Sequence, residues 1–216
     1  MICCWSVKGG VGTSVVSAAV AVMGARRGDD VLLVDLNGDQ AAILGVESEG
    51  PGLHEWLEAG EAVAVDALRR LEIPVRPGLR LLAPGGPGPS DLDHDRLSVA
   101  LALTDRPGRT IVVDLGMVEP ASGRTAVVDS SARSVLVTRA CYLGLRRARP
   151  ELNGRGFDVV LIDEPGRALG RTDVAQALGV QSVVRVPWEP SVARAVDAGT
   201  LVARVPGPLR KLSVLL

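Results

Sequence analysis

The chain has 216 residues and a formal net charge of −1. That length suits one domain. A near-neutral balance excludes a global electrostatic drive onto nucleic acid, and 47% hydrophobic with 23% charged residues excludes a disordered chain. Three Trp, one Tyr and one Phe leave Val, Leu, Ala and Ile to build the core. Only Lys8 and Lys211 are lysine among 24 basic residues, so each lysine position is informative. Cys3, Cys4 and Cys141 form no metal-spaced set and read as buried thiols in a reducing compartment. No run reaches the ~18 apolar residues of a membrane span, and the N-terminus lacks a signal-peptide plan. The expected location is the cytoplasm.

Ile2–Val7 reads as a strand, followed by glycine-rich Lys8–Ser14 and a small-residue helix over Val15–Arg27 that Gly28 ends. A second strand covers Val31–Leu36. Short helices follow at Ala41–Val46, Leu53–Ala59 and Ala62–Leu71. Leu79–Ala83 is a strand, Pro84–Pro89 a rigid turn-rich loop, and Asp91–Leu103 a helix. Thr110–Leu115, Ser134–Thr138, Phe157–Asp163 and Val180–Val186 are further strands. Helices at Gly144–Arg149, Thr172–Leu178 and Ser191–Gly199 lie between or after them. Apolar runs alternating with helices predict an α/β doubly wound, mostly parallel sheet flanked by helices. It spans residues 1–205, with a short apolar and basic tail over 206–216.

The segment Val7-Lys8-Gly9-Gly10-Val11-Gly12-Thr13-Ser14 stands between the first strand and the first helix. Glycines there let backbone N–H groups converge, and the helix N-terminus adds partial positive charge, a combination suited to phosphate. The segment resembles the deviant P-loop of the ParA/MinD family, KGGxGK[ST], with matches at Lys8, Gly9, Gly10, Gly12 and Ser14. Val31–Leu36 is similar to that family's switch I strand, and Thr110–Gly116 to its Walker B strand and switch II. Leu178–Gly199 resembles its last strand and helix, including Val186-Pro187-Trp188.

The resemblance implies a P-loop fold that binds ATP or ADP with Mg²⁺ and forms a nucleotide-controlled homodimer. It implies that the amides of Gly9, Gly10, Val11, Gly12, Thr13 and Ser14 cradle phosphates, that Ser14, Asp35 and Asp114 serve the metal, and that Lys8 reaches the partner's nucleotide. Pro187 falls beside the base.

Three positions depart from the pattern. Thr13 stands where the family has its in-chain phosphate lysine, and a neutral hydroxyl donates more weakly than an ammonium. Asn37 replaces the second switch I acid, and an amide cannot take a proton from water. Asp39 reaches that role only if the loop shifts. Asp163 occupies the base-reading place, where a carboxylate accepts from adenine or guanine alike, so the residues leave ATP and GTP open. The expected function is a positioning or assembly factor with weak or lost hydrolysis. Its partner protein would belong to a pilus, secretion or partition system, as in the degenerate CpaE and TadZ branch. A slow, active ATPase and a nucleotide-free interaction protein are the alternatives. Arg139, Arg146, Arg147 and Arg149 suggest weak DNA contact. The tail Pro208–Leu216 suggests either docking on the domain or peripheral contact with a membrane surface.

Overall fold

A computed structural model describes the chain except residues 61–65, 87–92, 120–121, 123 and 152–155. Parts of the expected helices at 62–71 and 91–103, and of the turn-rich loop at 84–89, fall outside the described residues.

Among the described residues, eight strands form one sheet in the order β3-β4-β2-β5-β1-β6-β7-β8. They are β1 (Ile2–Ser6), β2 (Asp30–Asp35), β3 (Glu72–Arg76), β4 (Leu79–Leu82), β5 (Arg109–Met117), β6 (Arg133–Arg139), β7 (Asp158–Asp163) and β8 (Val183–Pro187). All neighbours pair in parallel except β3 and β4. Alternate residues feed opposite faces. Cys3, Trp5, Leu32 and Val34 join one core, while Ile2, Cys4, Val31 and Leu33 join the other. Strands covered on both faces must be apolar throughout, which is why they are legible as unbroken apolar runs.

The helices are α1 (Thr13–Arg27), α2 (Gln40–Leu44), α3 (Leu53–Glu58), α4 (Ala67–Arg70), α5 (His94–Thr104), α6 (Arg124–Ser130), α7 (Tyr142–Glu151), α8 (Arg171–Leu178) and α9 (Pro190–Asp197). Helix α1 is buried nearly all round, with Val16, Ala18, Ala19, Val20, Ala21 and Val22 fully covered. Its small side chains let it lie close between the sheet, α2 and the C-terminal segment.

Two elements go beyond the sequence reading. Strand β3 contains Pro74 and two charged ends, an edge-strand composition that hides it from an apolar-run search. It is fastened by Glu72, which accepts from Arg109 Nη1 and Nη2 at 2.7 and 2.8 Å. Both side chains are buried, and this pairing holds the Arg109 guanidinium above its ordinary pKa. Helix α6 is the second, announced by no apolar period.

The C-terminal tail forms a 3₁₀ helix over Gly207–Leu215 that packs on α1 and β8. Leu209, Leu212 and Leu215 are buried while Arg210 and Lys211 face solvent. No described helix is long and apolar enough to cross a membrane. Docking makes the tail part of the core, so Leu212→Ala should cost about 2–5 kcal/mol of unfolding free energy. Urea denaturation measures this; an unchanged midpoint would mean that the tail contributes nothing to the fold.

Candidate functional site

The chain leaves β1 at Ser6 and enters α1 at Thr13, so the glycine-rich turn lies at the C-terminal end of a central strand. Ligands of open α/β sheets bind at this place. Gly12, with φ 98°, is the left-handed cap of α1. A Cβ there would meet only Ile162 Cγ1 at 3.8 Å, so backbone conformation rather than space demands glycine. The helix N-terminus has no acidic residue in its first turn and no side-chain cap. Its amide donors remain available to an anion.

Beside this turn stand the loops after β2 and β5. Asp35 is fully buried, and its carboxylate accepts from the amides of Asn37, Gly38 and Gln40 at 2.9, 2.8 and 2.9 Å. It holds the loop in shape through these three bonds. Burial still pushes its pKa above the usual carboxylate range.

Asn37 Nδ2 donates to Asp39 Oδ2 at 2.7 Å and to Ser14 Oγ at 3.4 Å, and Ser14 Oγ lies 3.5 Å from Asp39 Oδ2. Asp39 therefore faces the Ser14 hydroxyl and the Asn37 amide. Its side chain curls back across Gly38, a residue with positive φ.

Asp114 is also fully buried. Gln40 Nε2 donates to its Oδ2 at 2.6 Å and Gly116 N to its Oδ1 at 3.1 Å. Gln40 Nε2 also lies 2.9 Å from Ser14 O and 3.0 Å from Ser17 Oγ. Burial, reinforced by the Asp35 charge, pushes Asp114 up to about 6. Arg124 Nη1 and Nη2 donate to the carbonyls of Leu115 and Leu36 at 2.9 and 3.0 Å, tying the ends of β5 and β2 together. Burial lowers its pKa against the opposing pull of Asp114 and Asp35. Gly116 completes the contact, because a Cβ there would fall 2.3 Å from Asn37 Oδ1.

These elements enclose a cavity of about 570 Å³ lined by Gly9, Gly10, Gly12, Thr13, Ser14, Asn37 and Asp39, with Gly116, Met117, Arg139 and Asp197 opposite. An apolar cleft of about 250 Å³ continues from it, lined by Val11, Ile162, Val186, Pro187, Trp188 and Val192. Gly12, Val15, Arg139, Val196 and Asp197 line both spaces. Apolar side chains dominate the cleft wall, and Trp188 is 48% exposed at it.

No family model and no curated protein matches the chain. Solved structures do. The chain is similar to the septum site-determining protein MinD of Pyrococcus horikoshii complexed with Mg-ADP, at 20% identity and TM-score 0.78, over 98% of this chain and 93% of that one. It is similar to a ParA family ATPase of Chlorobium tepidum at 21% identity and TM-score 0.75, over 99% and 95%. A McdA–ATP complex of Cyanothece aligns at 13% identity and TM-score 0.73, over 100% and 95%. The chain has the MinD/ParA fold.

Within the MinD/ParA fold the remaining sequence expectations fall as follows. Lys8 lies at the rim, its Nζ 3.8 Å from Cys141 Sγ, and does not line the cavity among the described residues. Pro187 lines the apolar cleft. Asp163 does not, because its carboxylate is engaged by Arg185 and its carbonyl by Trp188 N at 2.9 Å. The arginine cluster divides: Arg146 and Arg147 are exposed on α7, the Arg149 side chain lies outside the described set, and Arg139 turns into the cavity. Gln40, Arg124 and Trp188 carry site contacts that the sequence reading missed. Gln40 had one local signal, its position directly after Asp39; Arg124 had none.

The buried acids make the fold pH-sensitive. A folded Asp114 near 6 binds its proton more tightly than the unfolded chain does. Without nucleotide or metal, stability therefore falls as pH climbs from about 4 to about 6, by at most ~1.4 kcal/mol per unit. Asp114→Asn should flatten that slope and raise stability at pH 7.5, as measured by urea titrations across pH. An unchanged slope would mean that Asp114 is not the titrating group.

Proposed function

We propose that the chain is a ParA/MinD-type nucleotide-binding protein that holds ATP or ADP with Mg²⁺, turns ATP over weakly, and uses the bound state to control pairing of two copies. The observation that carries this reading is the uncapped N-terminus of α1 opening, through a left-handed glycine, into a polar cavity continuous with an apolar cleft. A phosphate chain suits the first space and a purine the second. The Mg-ADP and ATP complexes among the similar folds support the same ligand class.

The residues fit Mg²⁺. That ion takes hard oxygen ligands, usually one or two carboxylates with substrate phosphates and water. Among the described residues no three acidic, His or Cys side chains form a metal cage, which matches an ion brought in with phosphate. Ser14 Oγ and the Asp39 carboxylate would hold it, with Asp114 behind them through water. The Gln40 Oε1 atom, buried beside Asp114 without a partner, supplies an acceptor for such a water. Bound Mg²⁺ would neutralise phosphate charge and offset the buried acids.

The chain's own groups limit hydrolysis. Thr13 puts no charge at the cavity, and Asn37 uses its amide to hold Asp39. Losing one charge-stabilising or water-positioning group costs typically 10²–10⁴-fold. Asp39 keeps a carboxylate at the cavity, which favours slow turnover over none as a second reading. Tyr142 and Leu143 are exposed beside Cys141, with Tyr142 72% exposed, half-buried Lys8 reaches the Cys141 sulfur, and a second copy of the chain would cover this rim. A partition, pilus or secretion component is the class of partner that this reading implies.

Calorimetry with MgATP and MgADP should show binding, and light scattering should show ATP-dependent pairing that Lys8→Ala abolishes while binding persists. Absence of heat with every nucleotide would overturn the proposal. Turnover should stay far below the typical ~1–10³ s⁻¹. Thr13→Lys with Asn37→Asp should raise it at least tenfold in a phosphate-release assay; no rise would mean that these positions do not limit the reaction.

A further inference from the structure

The cavity lacks the loop lysine but does not lack a cation. Its charged lining, among the described residues, is Asp39, Asp197 and Arg139. Without Arg139 that lining would carry two negative charges toward a polyphosphate. Arg139 ends β6, and its Nη1 donates to Glu164 Oε1 at 2.6 Å. Glu164 is shared with Arg167, so one carboxylate serves two guanidinium groups and leaves a net positive charge there. Arg139 Nε is buried without a hydrogen-bond partner. The guanidinium is thus held by one edge, with donor capacity unspent.

Its position is more telling than its charge. Arg139 lines both the polar cavity and the apolar cleft, as do four others among the described residues. A nucleotide with its purine in the cleft and its phosphates on the glycine turn must pass that junction at the sugar and the first phosphate. We propose that Arg139 is the in-chain phosphate cation of this site, that it binds the phosphate nearest the sugar, and that it acts from another strand on a different phosphate from those that a lysine at Thr13 would serve. The inference rests on the nucleotide reading above and adds the residue and the phosphate it contacts. Glu164 is a positioning residue, since it acts through Arg139.

Binding of adenosine, AMP and ADP to the wild type and to Arg139→Gln tests this, by calorimetry or by Trp188 fluorescence. A charge-assisted hydrogen bond lost from a partly enclosed site weakens binding about ten- to a hundredfold. Arg139→Gln should lose that much for AMP and ADP, and less than twofold for adenosine. Arg139→Lys should recover part of the loss. Glu164→Gln should weaken AMP by a smaller factor. Thr13→Lys added to Arg139→Gln should restore ADP more than AMP, since that side chain serves the later phosphates. Equal AMP and ADP affinity in wild type and Arg139→Gln would overturn the assignment of Arg139 alone. Equal loss for adenosine would also overturn it, by showing that Arg139 stacks on the base. A wild type that binds none of the three would overturn the nucleotide reading and this assignment together.

Discussion

The site depends on the burial of α1. A helix covered on nearly every side by the sheet, α2 and the C-terminal 3₁₀ helix cannot tilt or slide. Its N-terminus is thereby aimed at one point beyond the central strand, and the left-handed Gly12 joins the two without a side-chain cap. Dense packing on small residues thus becomes a fixed arrangement of amide donors. The tail closes the far side of α1, and its Leu209 also lines the apolar cleft.

Around those amides the structure gathers more negative than positive charge. Asp35, Asp114 and Asp39 converge within two loops, and the first two are fully buried. Burial raises both, and Arg124 offers only a desolvated partner behind them. The two buried carboxylates are destabilised as anions and are relieved by a proton at lower pH. Gln40 bridges Asp114 and the first turn of α1, so the loops after β2 and β5 share one hydrogen-bond network with the phosphate turn.

Much of this was legible in the sequence, for local reasons. The strands showed as apolar runs because both sheet faces are covered, and the glycine turn showed because its donors are consecutive backbone groups. Loss of the lysine at Thr13 and of the acid at Asn37 could likewise be read from single positions. The rest is built from contacts between distant residues. Arg124 reaches Leu36 across 88 positions and Arg139 reaches Glu164 across 25; in a chain whose basic residues are nearly all arginine, Arg124 does not stand out, and Arg139 showed only as one of a cluster that suggested DNA contact. The edge strand β3 was hidden by Pro74, and its anchor, Glu72 on Arg109, carries no motif. The contact of Asp39 with Asn37 and Ser14 runs across Gly38, a geometry that residue spacing does not reveal.

The most direct test of the account is an experimental structure of the chain with a non-hydrolysable ATP analogue and Mg²⁺. The triphosphate should lie on the amides of Gly9 to Ser14, the purine against Pro187 and Trp188, and the metal at Ser14. An analogue bound elsewhere on the surface, or a cavity that stays empty at saturating concentration, would contradict it.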